Sequence, residues 1–132
     1  MEKYRRFEEM EVWRSARDFI RSIYSVSGNR CFSNHSGLRD LIRRASVNIG
    51  SNIGGGFETQ SNPILRRYLA SARESAIEVR ALLYVASDMG CVSERDFRSL
   101  ISKAESIGRQ LTGYINPMDR SRRKRSGRIS NC

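Results

Sequence analysis

His35 is the only histidine in the chain, and Cys31, Cys91 and Cys132 are its only cysteines. Acid–base catalysis through imidazole therefore has one candidate and no partner of its kind. Cys31 and His35 could share a metal ion, but Cys91 alone leaves the set short of the four ligands of a structural zinc site. The cysteines are odd in number, scattered and without a CxxC pair, which reads as reduced thiols in a cytoplasmic protein. Glu74 and Glu78 stand one helical turn apart, as paired carboxylates do. No Glu-x-x-His accompanies them, so a solvated helix face or pairing with nearby arginines is the better account. The run Gly54-Gly55-Gly56 leads into Phe57, not into the Gly-Lys-Ser/Thr of a phosphate loop. The sequence thus predicts no catalytic residue, no metal and no cofactor.

Chemistry of binding is better represented. The chain carries 24 basic against 14 acidic residues, a net charge of +10. Only Lys3, Lys103 and Lys124 are lysines, and arginine offers the planar fork that pairs bidentately with phosphate and stacks on bases. Arg120, Arg122, Arg123, Lys124, Arg125 and Arg128 crowd into the last stretch without an acid, giving it +6 and leaving +4 for the body. Further up, Arg66, Arg73 and Arg80 recur every seven residues, in one column with Ile77 and Tyr84. None of the three has an acid three or four positions away, so nothing within its own helix neutralises it. Arg43 and Arg44 add a basic pair. A polyanion, RNA or an RNA/DNA hybrid, is the expected partner. The plainer readings are arginines that border the core or meet acids on another helix, and a tail that only solubilises.

These side chains must be placed by helices. From Gly37 to Phe57, Leu38, Leu41, Ile42, Ala45, Ile49 and Ile53 fall on one face at 3.6 residues per turn. Val47, Gly50 and Gly54 lie on the back, where a solvated helix would carry Lys or Glu. Glycine there costs about 1 kcal/mol against alanine, which points to a close approach by another helix, of this subunit or a second one. The triple glycine is expected to fray, kink or end this helix. An earlier helix spans about Phe7 to Val26 with Met10, Trp13, Ala16, Phe19, Ile20, Ile23 and Tyr24 inward, and residues 29–36 form a loop. Asn62-Pro63 opens a third helix with Leu65, Tyr68, Leu69, Ala72, Ala76, Val79, Leu83 and Ala86 inward, closed by Gly90. Ser93 caps a fourth, which ends at Asn116-Pro117. Four helices and short links predict an all-α, antiparallel up-down-up-down bundle over residues 1–118, followed by a disordered basic tail over 119–132. No apolar run is long enough for a membrane span.

The run Gly37-Leu38 … Arg43-Arg44-Ala45 … Ile49 … Ser51-Asn52-Ile53 … Gly56-Phe57, with Phe7, Val12, Trp13 and Ala16 before it, resembles the four-helix-bundle family of 23S rRNA intervening-sequence proteins. The chain departs from that pattern at Leu41 (Gln in the family), Gly50 (Pro), Gly54-Gly55 (Ala-Glu) and Glu74-Ser75 (Gly-Ser). The resemblance implies a homopentameric ring. It also implies one of two settings: a protein encoded within a 23S rRNA gene, or the accessory variability protein of a diversity-generating retroelement, acting with a reverse transcriptase and its template RNA. A protein–protein scaffold for an acidic partner is the competing expectation.

Overall fold

The computed structural model describes residues 5–130, with side chains over 5–121. A 3-10 turn (Phe7–Glu9) leads into α1 (Glu11–Val26), a short α2 (Arg30–Asn34), α3 (Ser36–Phe57), α4 (Asn62–Asp88) and α5 (Glu94–Ser130), and the described residues contain no strand. The four long helices close a ring of neighbours, α1 on α3, α3 on α4, α4 on α5 and α5 on α1, which is the expected four-helix bundle. The loop expected over residues 29–36 contains α2, one turn whose N-cap Asn29 accepts from the Phe32 amide at 2.9 Å while Phe32 is buried in the core. Ser93 caps α5 as expected, accepting from the Asp96 amide at 3.1 Å. Gly90 closes α4 with φ 78°, a left-handed position that suits glycine.

Helix α4 is the most regular element. Leu65, Leu69, Ala72, Ala76, Val79, Leu83 and Ala86 are buried, an alternating three- and four-residue stripe. Tyr68, expected inward, instead covers the C-terminal end of α3, which runs through the triple glycine and ends one residue after it, at Phe57. A methyl group on Gly56 would lie 2.7 Å from Cβ of Tyr68 and 3.1 Å from Cδ1 of Leu65, and one on Gly55 3.0 Å from Cε1 of Tyr68. The glycines are there because α3 and α4 touch backbone to side chain.

Two stripes differ from the reading of the sequence. In α1 the buried set is Val12, Ala16, Phe19 and Ile23, while Trp13 and Ile20 are half-buried and Tyr24 is exposed. In α3 Leu41 is 49% exposed, and Ser46 is buried instead, its hydroxyl donating to the Arg43 carbonyl at 2.8 Å. Close packing accompanies both departures: a methyl on Gly50 would lie 3.1 Å from Cδ1 of Ile20 on α1, and one on Gly54 3.6 Å from the Phe7 ring in the 3-10 turn.

The cysteines are a correction too. Cys31 and Cys91 form a disulfide across a sequence separation of 60, with Cα atoms 5.1 Å apart. Linear spacing hid this because α2 and the turn after α4 meet at the same corner of the bundle. Cys132 lies outside the described residues.

Nor does the last helix stop at Asn116-Pro117. Pro117 removes one helical hydrogen bond, yet α5 continues to Ser130. Met118 packs on the core and Asp119 bonds to α4, so the segment beyond the proline is held by side chains. The Arg-rich run that follows contains strong helix formers and no proline. Helix α5 thus extends into the tail segment as far as Ser130, and residues 131 and 132 lie outside the described residues.

A methyl at Gly56 must push Tyr68 away, whereas nothing lies within 4 Å of one at Gly108 on α5. Gly56→Ala is expected to cost about 1–3 kcal/mol despite its better helix propensity. Gly108→Ala is expected to gain up to about 1 kcal/mol. Urea unfolding followed by circular dichroism compares the two. A Gly56→Ala protein as stable as its parent would contradict the close α3–α4 contact.

Candidate nucleic-acid interface

Each arginine of the α4 column follows a buried residue: Arg66 after Leu65, Arg73 after Ala72, Arg80 after Val79. A step of one residue turns about 100° around a helix, so the column borders the core on the flank that meets α5. The three are partly buried there, and their surroundings differ.

Arg66 is not free. Its Nε donates to Oδ1 of Asp119 at 2.9 Å and its Nη2 to Oδ2 at 3.3 Å. The pair spans 53 residues from α4 to α5, out of reach of a search within one helix. The hydrogen bond to Asp119, aided by its charge, holds the Arg66 guanidinium above its ordinary value against some desolvation. A raised value in the folded state means that this stabilisation is complete below the ordinary arginine range and is lost only in strong alkali. It is therefore constant across physiological pH. Arg73 donates from Nη1 to Oγ1 of Thr112 at 3.2 Å, a neutral partner that leaves its charge uncompensated. The Nε of Arg80 is buried and has no hydrogen-bond partner.

Arg73 and Arg80 line an open groove of about 380 Å³ between α4 and α5, together with Arg109 and one acid, Glu105. Among the described residues no salt bridge joins Glu105 to any of the three arginines. Ala76, Ala104 and Gly108, all small residues, also line the groove. Ile77, 54% exposed, lines it as well, and Tyr84, 56% exposed, follows Arg80 by one turn with its ring edge-on to Phe97 at 5.0 Å. Three guanidinium groups over one carboxylate, with an exposed aromatic ring nearby, can take phosphate and a stacked base.

Arg109 was missed by the sequence reading because it stands outside the column. Its signal is Gly108, a helix-interior glycine that no packing contact requires. Arg43 belongs to a different task. Its Nε donates to the Ser27 hydroxyl at 2.7 Å and its Nη2 to the Tyr24 carbonyl at 3.3 Å, with the guanidinium 4.6 Å from the Tyr24 ring centre. It fastens the end of α1 to α3. Arg44 and Arg120 are exposed, and neither lines the groove. The side chains of Arg122, Arg123, Lys124, Arg125 and Arg128 lie outside the described residues. Glu74 and Glu78 are exposed on α4.

The expected interface of Val47, Gly50 and Gly54 is filled largely from within. A methyl on Gly50 would lie 3.1 Å from Cδ1 of Ile20, and one on Gly54 3.6 Å from the Phe7 ring. What stays open is a second, apolar groove of about 580 Å³ lined by Phe7, Trp13, Ile20, Val47, Gly50 and Gly54. Trp13 is edge-on to Phe7 at 5.1 Å and carries the Arg17 guanidinium 5.7 Å from its ring centre. No described helix is long and apolar enough to cross a membrane.

The bidentate Arg66–Asp119 pair, about one-third exposed on each side, is expected to contribute a coupling of about 0.5–1 kcal/mol that falls with salt. A double-mutant cycle with Arg66→Ala and Asp119→Ala measures it. Zero coupling at low salt would make this a contact without energetic weight.

Compared with known proteins, residues 8–113 match the family model described as 23S rRNA-intervening sequence protein. Among solved structures the bundle is similar to a protein of unknown function from the S23 ribosomal protein family of Bacteroides thetaiotaomicron VPI-5482. That similarity has a TM-score of 0.71 at 20% identity and covers 79% of this chain and 97% of that one. At such identity the likeness concerns fold alone. No curated protein matches.

Proposed function

The chain belongs to the 23S rRNA-intervening sequence protein family, and from that premise we propose that it is a non-catalytic RNA-binding bundle. The carrying observation is the α4–α5 groove, where Arg73, Arg80 and Arg109 outnumber Glu105 and Arg80 has a buried donor without an acceptor. Phosphate oxygens supply acceptors for the guanidinium groups that line the groove. Tyr84, one turn beyond Arg80, offers a face for an unpaired base, which single-stranded or looped RNA presents and duplex does not. Rigid arginines on two packed helices match one spacing of phosphates. The arginines from Arg120 to Arg128 add positive charge, and with it affinity for any polyanion. The role that fits is an accessory subunit of a ribonucleoprotein, such as a reverse transcriptase with its template RNA, acting in the cytoplasm.

A second reading concerns assembly and rests on the other groove. Phe7, Trp13, Ile20 and Val47 leave an apolar cleft on the α1–α3 face, and Arg17, Arg21 and Glu58 also line it. We read this as the seat of a second copy in a homo-oligomer, with the pentameric ring implied by the family resemblance as the preferred state. Such a ring would present five arginine grooves and five tails to one RNA. A scaffold binding an acidic protein remains the competing function.

Filter binding across a salt series, on a folded RNA and its scrambled sequence, tests the proposal. Arg73→Gln with Arg80→Gln is expected to weaken folded RNA more than scrambled RNA and to flatten the log–log salt slope by about 0.7–0.9 for each phosphate no longer neutralised. Removing residues 120–132 is expected to weaken both RNAs alike and to flatten the slope by roughly three to five units. Intact protein that binds neither RNA at low salt would overturn RNA binding in favour of the scaffold.

A further inference from the structure

Three ligand-bearing side chains outside both grooves meet where α2 abuts the turn between α4 and α5. The sulfurs of Cys31 and Cys91 and a ring nitrogen of His35 lie within 4.8 Å of one another. Cys91 is buried, and Cys31 and His35 are partly so. Nδ1 of His35 donates to the Cys31 carbonyl oxygen at 2.9 Å, since a carbonyl can only accept. That bond fixes the tautomer and leaves Nε2 as the lone-pair nitrogen, the arrangement usual for metal-ligating histidines.

The corner does not depend on the disulfide alone. Asn29 caps α2 through the Phe32 amide at 2.9 Å and donates from Nδ2 to the Cys91 carbonyl at 2.8 Å, so one side chain ties both cysteine-bearing segments together. Phe32, one residue after Cys31, is buried in the core. The carbonyl oxygen of Met89 lies 3.7 Å from Cys31 Sγ, placed to receive the S–H of a free thiol. After reduction both sulfurs therefore stay at this corner.

We propose that reduction of the Cys31–Cys91 disulfide opens a site for a thiophilic divalent cation, zinc being the fitting one, held by Cys31, Cys91 and His35 with water as the fourth ligand. Tetrahedral zinc with sulfur and nitrogen ligands holds its donors about 3.5–3.8 Å apart, so the two sulfurs, bonded to each other here, must part to that spacing once the S–S bond is broken. Thiolate with imidazole is a donor set that selects zinc over magnesium or calcium. The steps balance. A dithiol reductant gives up two electrons and two protons, the S–S bond breaks to two thiols, and the reductant closes to its own disulfide. The cation then forms two metal–sulfur bonds as two S–H bonds break, releasing two protons to solvent. Oxidised and metal-bound forms exclude each other, because one pair of sulfurs serves both.

The test uses the full chain carrying Cys132→Ser, so that only the paired cysteines remain, reduced with a phosphine under anaerobic conditions. Titration with Co²⁺ is expected to give one equivalent of a sulfur-to-cobalt charge-transfer band with the visible bands of tetrahedral cobalt, lost on adding Zn²⁺. The oxidised protein is expected to give none. Cys31→Ser and Cys91→Ser should each abolish the band, and His35→Ala should weaken cobalt binding at least about tenfold. Circular dichroism follows the fold throughout. Reduced, helical protein without the band overturns the site, and so does a band unchanged in His35→Ala or in either cysteine variant. Loss of helicity on reduction overturns it as well, because the site requires Asn29 and Phe32 to hold α2 in place.

Discussion

The rotation of α4 about its own axis decides where everything else in the bundle falls, and the contact at Gly55 and Gly56 fixes that rotation. Tyr68 and Leu65 press on α3 at distances that leave no room for a methyl group. Tyr68 precedes the buried Leu69, so its side lies one residue step before the core stripe. The arginines lie one step after it. With Tyr68 pinned to α3, geometry sends Arg66, Arg73 and Arg80 to the opposite flank, against α5. A larger residue at Gly56 would have to turn or lift α4 and move the arginine groove with it. The glycines that look like weakness in a helix are therefore what orients the basic surface.

Much of the fold was legible because hydrophobic spacing alone determines it. Leu65 to Ala86 on α4 and Phe97 to Ile115 on α5 carry stripes that allow one buried face, and Ser93 and Gly90 mark ends that the structure keeps. The misreadings occur where a second contact competes with the stripe. Leu41 satisfies the apolar periodicity of α3, yet it is exposed, while Gly50 and Gly54 of the same helix pack against Ile20 and Phe7. Trp13 follows, half-buried beside the same glycines. Nothing in a period of 3.6 residues distinguishes a face that meets the core from one that meets a single neighbouring helix.

The site was legible in part, for a different reason. Local spacing identifies arginines unpaired within their own helix, and Arg73 and Arg80 are so. It cannot find partners that arrive from α5, such as Asp119 and Thr112, 53 and 39 residues away. Arg43 shows the same limit: its partners Ser27 and Tyr24 belong to the end of α1 and the turn after it, and they make a surface cation into a structural fastening. The Cys31–Cys91 pair is hidden likewise, since only the folded bundle brings α2 to the α4–α5 turn.

Along the arginine column there is a gradient of satisfaction, and it runs in one direction. Arg66 meets a carboxylate through two bonds, Arg73 a neutral hydroxyl, and Arg80 nothing at its buried Nε. Leaving a charged group's buried donor without an acceptor costs at least about 1–3 kcal/mol, more than the net worth of a typical hydrogen bond. Substituting glutamine or leucine at position 80 would remove that cost while keeping a good helix former. An arginine there makes physical sense if its charge is used at the groove that its side chain lines. The neighbourhood agrees: Glu105 is the single acid in the groove, and Gly108 lines it without a side chain although a methyl would fit. The end of the column that Asp119 neutralises closes the bundle. The end beside Gly108 is left electrostatically unfinished, which is the condition a phosphate can complete.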